Sequence, residues 1–329
     1  MALLVCASSA LTPATAQQTP TLNSRLSGDL VPTHDPVIAR EGDTYYVFGT
    51  GMSARSSRDL VHWTLGKPLV DNRLPEWATK AVPGAKGMWA PDISFANGRW
   101  QLYYAVSTFG SNRSAIGLFT SPTLNPAAPG YGWRDEGIVL MSTAQSDFNA
   151  IDPNFIVDRQ GRHWLSLGSF WSGLKLFALD AKTGKPTDPT ATPTSIARPP
   201  APKGAPAPVE APFIFDHGGY YWLFASYDYC CKGVNSTYYT VVGRSRAITG
   251  PYLGKDGSAM MTGGGTIFLR ADLPEKDRFR GPGHVGFLHD RDGNDYAVYH
   301  AYDRDNQGAP TLRIAQVKWA ADGWPQAEN

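Results

Sequence analysis

Cysteine is scarce in this sequence, with three residues among 329. Cys6 falls in the apolar opening segment, which leaves only the adjacent pair Cys230 and Cys231 in the rest of the chain. This excludes the disulfide framework that stabilises small secreted domains, so packing must stabilise the fold. Neighbouring Cα atoms about 3.8 Å apart lie below the usual disulfide range, and the sequence leaves the redox state of the pair open.

Basic clusters and long apolar runs are also missing. The 30 basic and 29 acidic side chains nearly cancel. No Lys/Arg cluster is present that could follow a phosphate backbone, so we expect no nucleic-acid partner. After the opening segment, no stretch approaches the roughly 18 uninterrupted apolar residues that span a bilayer. We therefore expect a soluble mature protein without a membrane anchor.

The opening segment has the character of an export signal. Residues 1–16 are mostly apolar and end in Ala14-Thr15-Ala16, which has the form of a signal peptidase site. We predict a signal peptide over 1–16, a linker over 17–27 and a secreted or periplasmic protein. Leaders normally begin with basic residues, and the first here is Arg25. A truncated leader and a disordered tail are the two alternatives.

Helical signals are nearly absent, and one unit recurs five times instead, about every 60 residues with one longer interval. Each copy has a polar residue near a turn, an apolar stretch, a Gly-containing turn and a strand dense in aromatic residues. This order is typical of a β-hairpin. The copies read HDPVIAREGDTYYVFGT, APDISFANGRWQLYYAVS, IDPNFIVDRQGRHWLSLGS, EAPFIFDHGGYYWLFASYD and HVGFLHDRDGNDYAVYHAYD. The polar residues that lead them are Asp35, Asp92, Asp152, Glu210 and His284.

The length of the repeat indicates the architecture. Units of about 60 residues with roughly four strands fit the blades of a β-propeller, whereas WD40 repeats are shorter, about 40 to 45 residues. We predict that residues 28–329 form a single all-β domain, a five-bladed β-propeller with a central axial cavity. Equivalent positions on the inner strands point toward the axis, so the five leading residues should converge there.

Four of the five leading residues are carboxylates. Asp-Pro is a common turn dipeptide, and an Asp before a strand commonly caps local amides, so structure alone can explain any single copy. A ring of carboxylates is harder to explain in this way, because gathered like charges raise one another's pKa and do not stabilise a fold. Glycoside hydrolysis needs carboxyl groups in different environments, one protonated and one ionised.

Several segments resemble glycoside hydrolase family 43, and more narrowly its endo-1,5-α-L-arabinanase branch. The resemblance covers most of the chain from residue 28 and rests on HDP at 34–36, WAPD at 89–92, NAIDPN at 149–154, GSFWSG at 168–173, EAPFI at 210–214, YDYCCKGVNSTYYTVVGRS at 227–245 and GPGH at 281–284. It implies an inverting mechanism on arabinan, with Asp35 as general base and Glu210 as general acid. Asp152 would orient the acid and raise its pKa. The Asp35 and Glu210 carboxyls should then lie about 6.5 to 9.5 Å apart.

The resemblance also implies ligand contacts. His284 would bind one calcium ion near the axis, mostly through waters, although calcium prefers oxygen ligands and a structural histidine is the alternative. Aromatic side chains near the leading positions could line a cleft or fill the core, and these are Trp89, Phe109, Phe170 and Trp171. The implied substrate contacts are Asp35, Gly110, Asn149, Ala150, Ile151, Asp152, Ser169, Phe170 and Trp171.

Two alternatives to endo action follow from the same residues. Exo-acting arabinofuranosidases and β-xylosidases of the resembled family share the three carboxylates, so these side chains do not distinguish the modes of action. A non-catalytic sugar-binding propeller would instead repeat an aromatic pocket in every blade, and it gives no reason to gather carboxylates at the axis. We expect a monomer that binds arabinan or arabino-oligosaccharides.

Overall fold

The computed structural model describes residues 20–70, 73–188, 190–271 and 278–328. The predicted signal peptide and the first part of the predicted linker lie outside these ranges. Within them the chain forms twenty-one β-strands and two short α-helices, α1 (Leu22–Arg25) and α2 (Glu76–Ala81). Neither helix of the described part has the length and apolar character that crossing a membrane requires.

The strands form five separate sheets, each built on an antiparallel meander of four consecutive strands, which confirms the predicted five-bladed propeller. Blade 1 contains β2 (Val37–Glu41), β3 (Thr44–Gly49), β4 (Ser53–Ser57) and β5 (His62–Leu65), and blade 2 contains β6 (Trp89–Ala96), β7 (Arg99–Val106), β8 (Ser114–Ser121) and β9 (Arg134–Ser142). Blade 3 contains β10 (Asn154–Val157), β11 (His163–Leu167), β12 (Leu174–Leu179) and β13 (Thr194–Ala197). Blade 4 contains β14 (Val209–His217), β15 (Tyr220–Tyr227), β16 (Tyr239–Ser245) and β17 (Thr266–Leu269), and blade 5 contains β18 (Phe279–His289), β19 (Asp295–Asp303), β20 (Ala309–Trp319) and β21 (Pro325–Glu328). The first strands of neighbouring blades contact one another all the way round, so they surround the axis.

Apolar side chains pack between the blades. Successive residues of a strand point to opposite faces, so each blade offers one apolar face to each neighbour. In β15, Tyr221 and Leu223 pack toward blade 3, whereas Trp222 and Phe224 pack toward blade 5. The same alternation produces five apolar clusters, one at each blade interface. The dense aromatic strands of the repeat are therefore the cores of the interfaces.

The segment before blade 1 belongs to the folded domain, which corrects the predicted linker for its described part. In α1, Leu22 and Asn23 are buried. The Asn23 side chain donates to the Tyr299 hydroxyl (2.9 Å) and accepts from the Ile314 amide (2.9 Å), both in blade 5. A short strand β1 (Ser27–Gly28) then pairs in parallel with β5. This segment joins the first blade to the last and so helps to close the ring.

The heads of the inner strands share an unusual backbone conformation. In every blade one non-glycine residue there has a φ between 42° and 56°, and these residues are Asp35, Ala90, Asp152, Ala211 and His284. Such values are uncommon for non-glycine residues and must be held by the surrounding structure. The repeat predicted from the sequence is therefore out of register at two copies. Asp92 lies two residues after the shared position, and Glu210 lies one residue before it.

Candidate active site

Asp35 lies at the axis on blade 1 with its carboxylate almost fully buried. Its Oδ2 accepts a hydrogen bond from Thr50 Oγ1 (2.5 Å) and lies 2.8 Å from His34 Nδ1. Its Oδ1 lies 3.0 Å from His284 Nδ1. Burial raises the pKa of Asp35, but the imidazoles of His34 and His284 outweigh this by charge and hydrogen bonding and hold the pKa well below its usual range. Asp35 is therefore ionised at neutral pH.

The surroundings of Glu210 in β14 shift its pKa in the opposite direction. Its Oε2 accepts a hydrogen bond from Ser169 Oγ (2.8 Å). Burial raises the pKa of Glu210, the hydroxyls of Ser169 and Tyr238 offset part of this effect, and the charge of Asp35 adds to it. The net result is a raised pKa, which favours the protonated acid.

Asp152 connects blade 3 to the residue that follows Glu210. Its Oδ2 accepts a hydrogen bond from the Ala211 amide (3.1 Å). Burial raises the pKa of Asp152 well above its usual range; His284 opposes this, and the charges of Glu210 and Asp35 add to it. The hydrogen bond restrains the backbone beside Glu210.

His284 is the cation among these carboxyl groups. Its amide donates to Ser226 Oγ (2.9 Å), which anchors it to blade 4. Burial lowers its pKa, but Asp35, followed by Asp152 and Glu210, raises it to about 9. The structure thus brings together Asp35, Asp152, Glu210 and His284, as the sequence predicted.

The residues present offer a calcium ion one ligand, the imidazole of His284. Nδ1 of His284 faces Asp35, which leaves Nε2 as its nitrogen for a metal. Among the described residues, the groups of three or more potential metal ligands do not include His284. Calcium takes six to eight oxygen ligands, so an ion held at this single nitrogen must draw the rest of its shell from water.

Asp92 hydrogen-bonds to blade 3 and not to the other four leading residues, although the charge of His284 acts on its carboxyl. Its Oδ2 accepts from the Phe155 amide (2.8 Å), and its Oδ1 accepts from Asn154 Nδ2 (3.3 Å). Burial raises the pKa of Asp92 to about 7. The side chain ties the inner strand of blade 2 to that of blade 3, which is the supporting role that its offset position dictates.

Three further side chains complete the cluster without having been singled out as site residues by the repeat. Thr50 accepts from the Ala90 amide (2.9 Å) while it donates to Asp35, so it links blades 1 and 2. His300 Nδ1 accepts from the Asp35 amide (3.2 Å). Tyr238 is buried beside the Glu210 and Asp152 carboxyls, and burial together with these charges raises its pKa well above its usual range, which keeps it a neutral hydroxyl.

The predicted substrate contacts on blade 3 differ in what they contact and how exposed they are. The Ser169 hydroxyl donates a hydrogen bond to Glu210. Asn149 is buried, and its Oδ1 accepts from Ser114 Oγ (2.6 Å). Ala150 is fully buried and donates its amide to Ser142 Oγ, so the structure gives it no surface through which to contact a substrate. Ile151 is 8% exposed and so retains a small accessible surface. Of these four residues, Ala150 alone has no accessible surface, so the structure does not support its predicted substrate contact.

An aromatic pair directly follows Ser169, the residue that donates to Glu210. Phe170 and Trp171 are half-buried, and both have positive φ (56° and 44°), which a tight turn between Gly168 and Gly173 imposes. The Phe170 ring lies 5.6 Å from that of Tyr229.

A second aromatic pair belongs to blade 2. The Trp89 ring lies 5.7 Å from that of Phe109. Phe109 is 84% exposed, and the predicted contact Gly110 follows it with a φ of 74° in the same loop. An aromatic ring this exposed in a loop beside the cluster is available for a ligand.

Cys230 and Cys231 form a disulfide between neighbouring residues, with Cα atoms 3.8 Å apart. This determines the redox state that the sequence left open. The bridge lies in the loop after β15, and Cys231 is exposed.

Comparison with known proteins gives a consistent result. The family model described as "Glycosyl hydrolases family 43" matches residues 30–325. An extracellular exo-α-(1→5)-L-arabinofuranosidase of Cellvibrio japonicus is 44% identical and covers 91% of this chain and 87% of its own length. An extracellular endo-α-(1→5)-L-arabinanase of Bacillus subtilis is 43% identical over 89% of this chain and 86% of its own.

Solved structures agree with this result. The α-L-arabinanase of Cellvibrio cellulosa in complex with arabinohexaose superposes with a TM-score of 0.85 at 42% identity, covering 91% of this chain and 96% of that one. The family 43 endo-arabinanase of Bacillus licheniformis gives a TM-score of 0.82 at 44% identity, over 92% and 99% of the two chains.

Proposed function

Because the chain belongs to glycosyl hydrolases family 43, we propose that it is an inverting, endo-acting hydrolase of α-1,5-L-arabinofuranosidic bonds in arabinan. The observation that carries the proposal is the opposite ionisation of two buried carboxyls in one cluster. The pKa of Asp35 is held low and that of Glu210 is raised. Carboxyls whose environments separate their pKa values in this way are the acid and base of a glycosidase.

Each residue then has a role that its surroundings support. Glu210, protonated, donates to the departing glycosidic oxygen, and Asp35, ionised, removes a proton from the attacking water. His34 and Thr50 both hydrogen-bond Oδ2 of Asp35, whereas Oδ1 accepts from His284 and has a second lone pair for the attacking water. Asp152 keeps the backbone beside Glu210 in place through the Ala211 amide.

The stereochemical outcome tests the mechanism directly. Hydrolysis of an α-linked arabino-oligosaccharide, followed by proton NMR in the first minutes, should show the β-anomer before mutarotation. Early appearance of the α-anomer would indicate a retaining enzyme and contradict the assignment of Asp35 as a base.

Endo action is supported by the distribution of aromatic rings. One pair, Trp89 and Phe109, comes from blade 2, and the other, Phe170 and Tyr229, comes from the loops of blades 3 and 4. Trp89 precedes Ala90, which Thr50 links to Asp35, and Phe170 follows Ser169, which donates to Glu210. A chain bound over both carboxyls can therefore stack on both aromatic pairs. The similarity to a relative named as an exo-arabinofuranosidase makes terminal cleavage the second candidate.

Product analysis separates the two candidates. On linear arabinan, endo action gives mixed oligosaccharides and a rapid loss of viscosity, whereas exo action gives only a small product from chain ends. The variant Phe109→Ala sharpens the test, because an exposed ring can be removed with little effect on folding. If the enzyme is endo-acting, Phe109→Ala should have a higher KM on polymeric arabinan and an unchanged rate on an aryl arabinofuranoside.

We propose that calcium binds at His284 through Nε2 and displaces the Nε2 proton of the imidazolium, with water as the remaining ligands, while Nδ1 keeps its proton toward Asp35. The bound cation would supply positive charge near the carboxyl cluster. Titration of chelator-treated protein with calcium should show binding by calorimetry that His284→Ala abolishes. Binding that survives in this variant would place the metal elsewhere.

We also propose export and a monomeric state. Two relatives are named as extracellular, which supports secretion. All five blade interfaces are filled by side chains of one chain, which supports a monomer. Terminal sequencing of the exported protein should begin after Ala16, and light scattering should give the mass of one chain.

A further inference from the structure

The disulfide loop is connected to the carboxylate of Asp35 by a continuous series of hydrogen bonds. The Cys231 amide donates to the Tyr302 hydroxyl (2.8 Å). That hydroxyl lies 2.9 Å from Nε2 of His34. Nδ1 of the same imidazole lies 2.8 Å from Oδ2 of Asp35. Three short contacts thus join an exposed bridge to a buried carboxylate.

The chemistry of the groups fixes the direction of these bonds. The ionised Asp35 carboxylate can only accept, so the single N–H of a neutral His34 lies on Nδ1, directed at Asp35. Nε2 is then an acceptor and receives a hydrogen bond from the Tyr302 hydroxyl, whose oxygen accepts from the Cys231 amide. His300 stacks on His34 with ring centroids 4.1 Å apart, which limits rotation of the imidazole.

We propose that the Cys230–Cys231 disulfide, Tyr302 and His34 form a positioning relay for Asp35. The relay selects the Nδ1–H tautomer of His34, which occupies Oδ2 of the carboxylate together with Thr50. The other oxygen, Oδ1, accepts from His284 and keeps its second lone pair for water. The inference rests on the proposed role of Asp35 as general base, and it assigns positioning roles to the preceding residue, His34, and to Tyr302 and the disulfide, which are distant in sequence.

The disulfide is the part of the relay that holds the donor amide. Cys231 has a φ of 66°, and Asp228 in the same loop has a φ of 72°. Non-glycine residues keep such values only where the surroundings restrain them. The small ring closed by the two sulfurs is a covalent restraint on this turn, and the Cys231 sulfur lies 3.8 Å from His34 Nε2. Breaking the ring therefore frees the amide to leave Tyr302.

Reduction provides a reversible test. A dithiol such as dithiothreitol breaks the S–S bond and leaves two cysteine thiols, while its own two thiols become a cyclic disulfide. In the wild type, reduction should lower kcat on a short arabino-oligosaccharide by about 3- to 10-fold, the loss expected when one buried hydrogen bond is removed. KM should stay within about twofold, and oxidation should restore kcat.

Variants locate the effect in the relay. Tyr302→Phe should show the lowered kcat from the start and should not respond to the reductant. The double variant Cys230→Ser, Cys231→Ser should behave in the same way. Tyr252→Phe is the matched control, because it also removes a buried tyrosine hydrogen bond, to the Ile248 carbonyl (2.7 Å), away from the site. It should keep both its kcat and its sensitivity to reduction.

A spectroscopic measurement tests the relay without any assay of activity. The chain has seven histidines, so long-range nitrogen–proton correlations with ¹⁵N-labelled histidine can identify the tautomer of His34. The oxidised wild type should carry the proton on Nδ1, and Tyr302→Phe should populate both tautomers. An Nε2–H tautomer in the wild type, or a Tyr302→Phe enzyme whose kcat is unchanged or still falls on reduction, overturns the relay. Absence of hydrolysis in the wild type would count against the proposed function instead, and the tautomer would still report on the relay.

Discussion

His284 of the last blade lies with its Nδ1 3.0 Å from Oδ1 of Asp35 in the first blade. The two residues are joined at the axis, where the ends of the propeller meet. The pair explains why two buried groups keep opposite charges. The imidazole is held with a pKa of about 9, and the pKa of the carboxyl is held well below its usual range.

The ion pair should make stability depend on pH in a defined window. The raised pKa of His284 stabilises the fold fully below the ordinary histidine value, and this contribution is lost as the pH rises through about 9. The lowered pKa of Asp35 stabilises the fold above the ordinary aspartate value, and this is lost as the pH falls through the lowered value. Both contributions are therefore complete between about pH 4 and pH 6.5.

We expect His284→Gln to lose more free energy of unfolding at about pH 5.5 than at about pH 9.5. Urea unfolding with chelator present measures the difference. His62→Gln, at an exposed position, is the control and should show a small loss that does not vary in this way. A loss in His284→Gln that is equal at both pH values would contradict the ion pair.

Replacing Glu210, the proposed acid, should nearly abolish hydrolysis. Glu210→Gln keeps the size of the side chain and an oxygen that can accept from Ser169, but its amide has no acidic proton to transfer to the leaving oxygen. General acid catalysis accounts for about 10² to 10⁴ in rate, and we expect kcat to fall by that factor on linear arabinan. Glu76→Gln, at an exposed ion pair with Lys80, should leave kcat unchanged. Near-normal turnover by Glu210→Gln would exclude it as the acid.

The sequence was sufficient to predict the propeller because the repeat reflects packing. Each copy places alternating apolar residues on a hairpin, and those residues fill the blade interfaces. Three of the leading residues, Asp35, Asp152 and His284, occupy the shared left-handed position, and Glu210 reaches the same cluster from the position before it.

Other parts of the site could not be predicted from the sequence. Asp92 resembles the other leading residues in the repeat, but its two-residue offset directs it to Phe155 and Asn154. Thr50 and Tyr302 contribute single hydroxyls, and nothing in their local sequence shows which distant groups they contact. Such contacts depend on how blades are arranged around the axis, which the period of the repeat does not specify.

Replacing Asp152 by a neutral amide should shift the pH dependence of activity. Asp152 and Glu210 disfavour each other's ionisation and titrate as a coupled pair, so the last proton leaves the pair at a higher pH than it would leave Glu210 alone. Asp152→Asn should therefore lower the pH at which Glu210 loses its proton, while an amide oxygen can still accept from the Ala211 amide. Because the acid must be protonated, the alkaline limb of kcat/KM should move to lower pH. Profiles on a short arabino-oligosaccharide measure this. An unchanged or higher alkaline limb would show that Asp152 does not raise the pKa of the acid.

The packing of Tyr238 against Gly283 supplies the last prediction. A Cβ atom at position 283 would lie 2.3 Å from Cε1 of Tyr238 and 3.0 Å from Oγ of Ser226. Tyr238 is 2% exposed and cannot turn outward to solvent, so Gly283→Ala must displace it from beside Glu210. We expect an unfolding free energy lower by about 1 to 3 kcal/mol, as for other overpacked cores, together with a reduced kcat.

Gly132→Ala is the matched control for this variant, because a Cβ at position 132 meets no atom within 4 Å. It should change neither stability nor kcat. Urea unfolding and turnover on linear arabinan, measured on both variants, separate the two effects. If Gly283→Ala is destabilised but retains full kcat, Tyr238 supports the fold without influencing the acid. If it loses kcat at temperatures where it remains folded, the contact between Tyr238 and Glu210 contributes to catalysis.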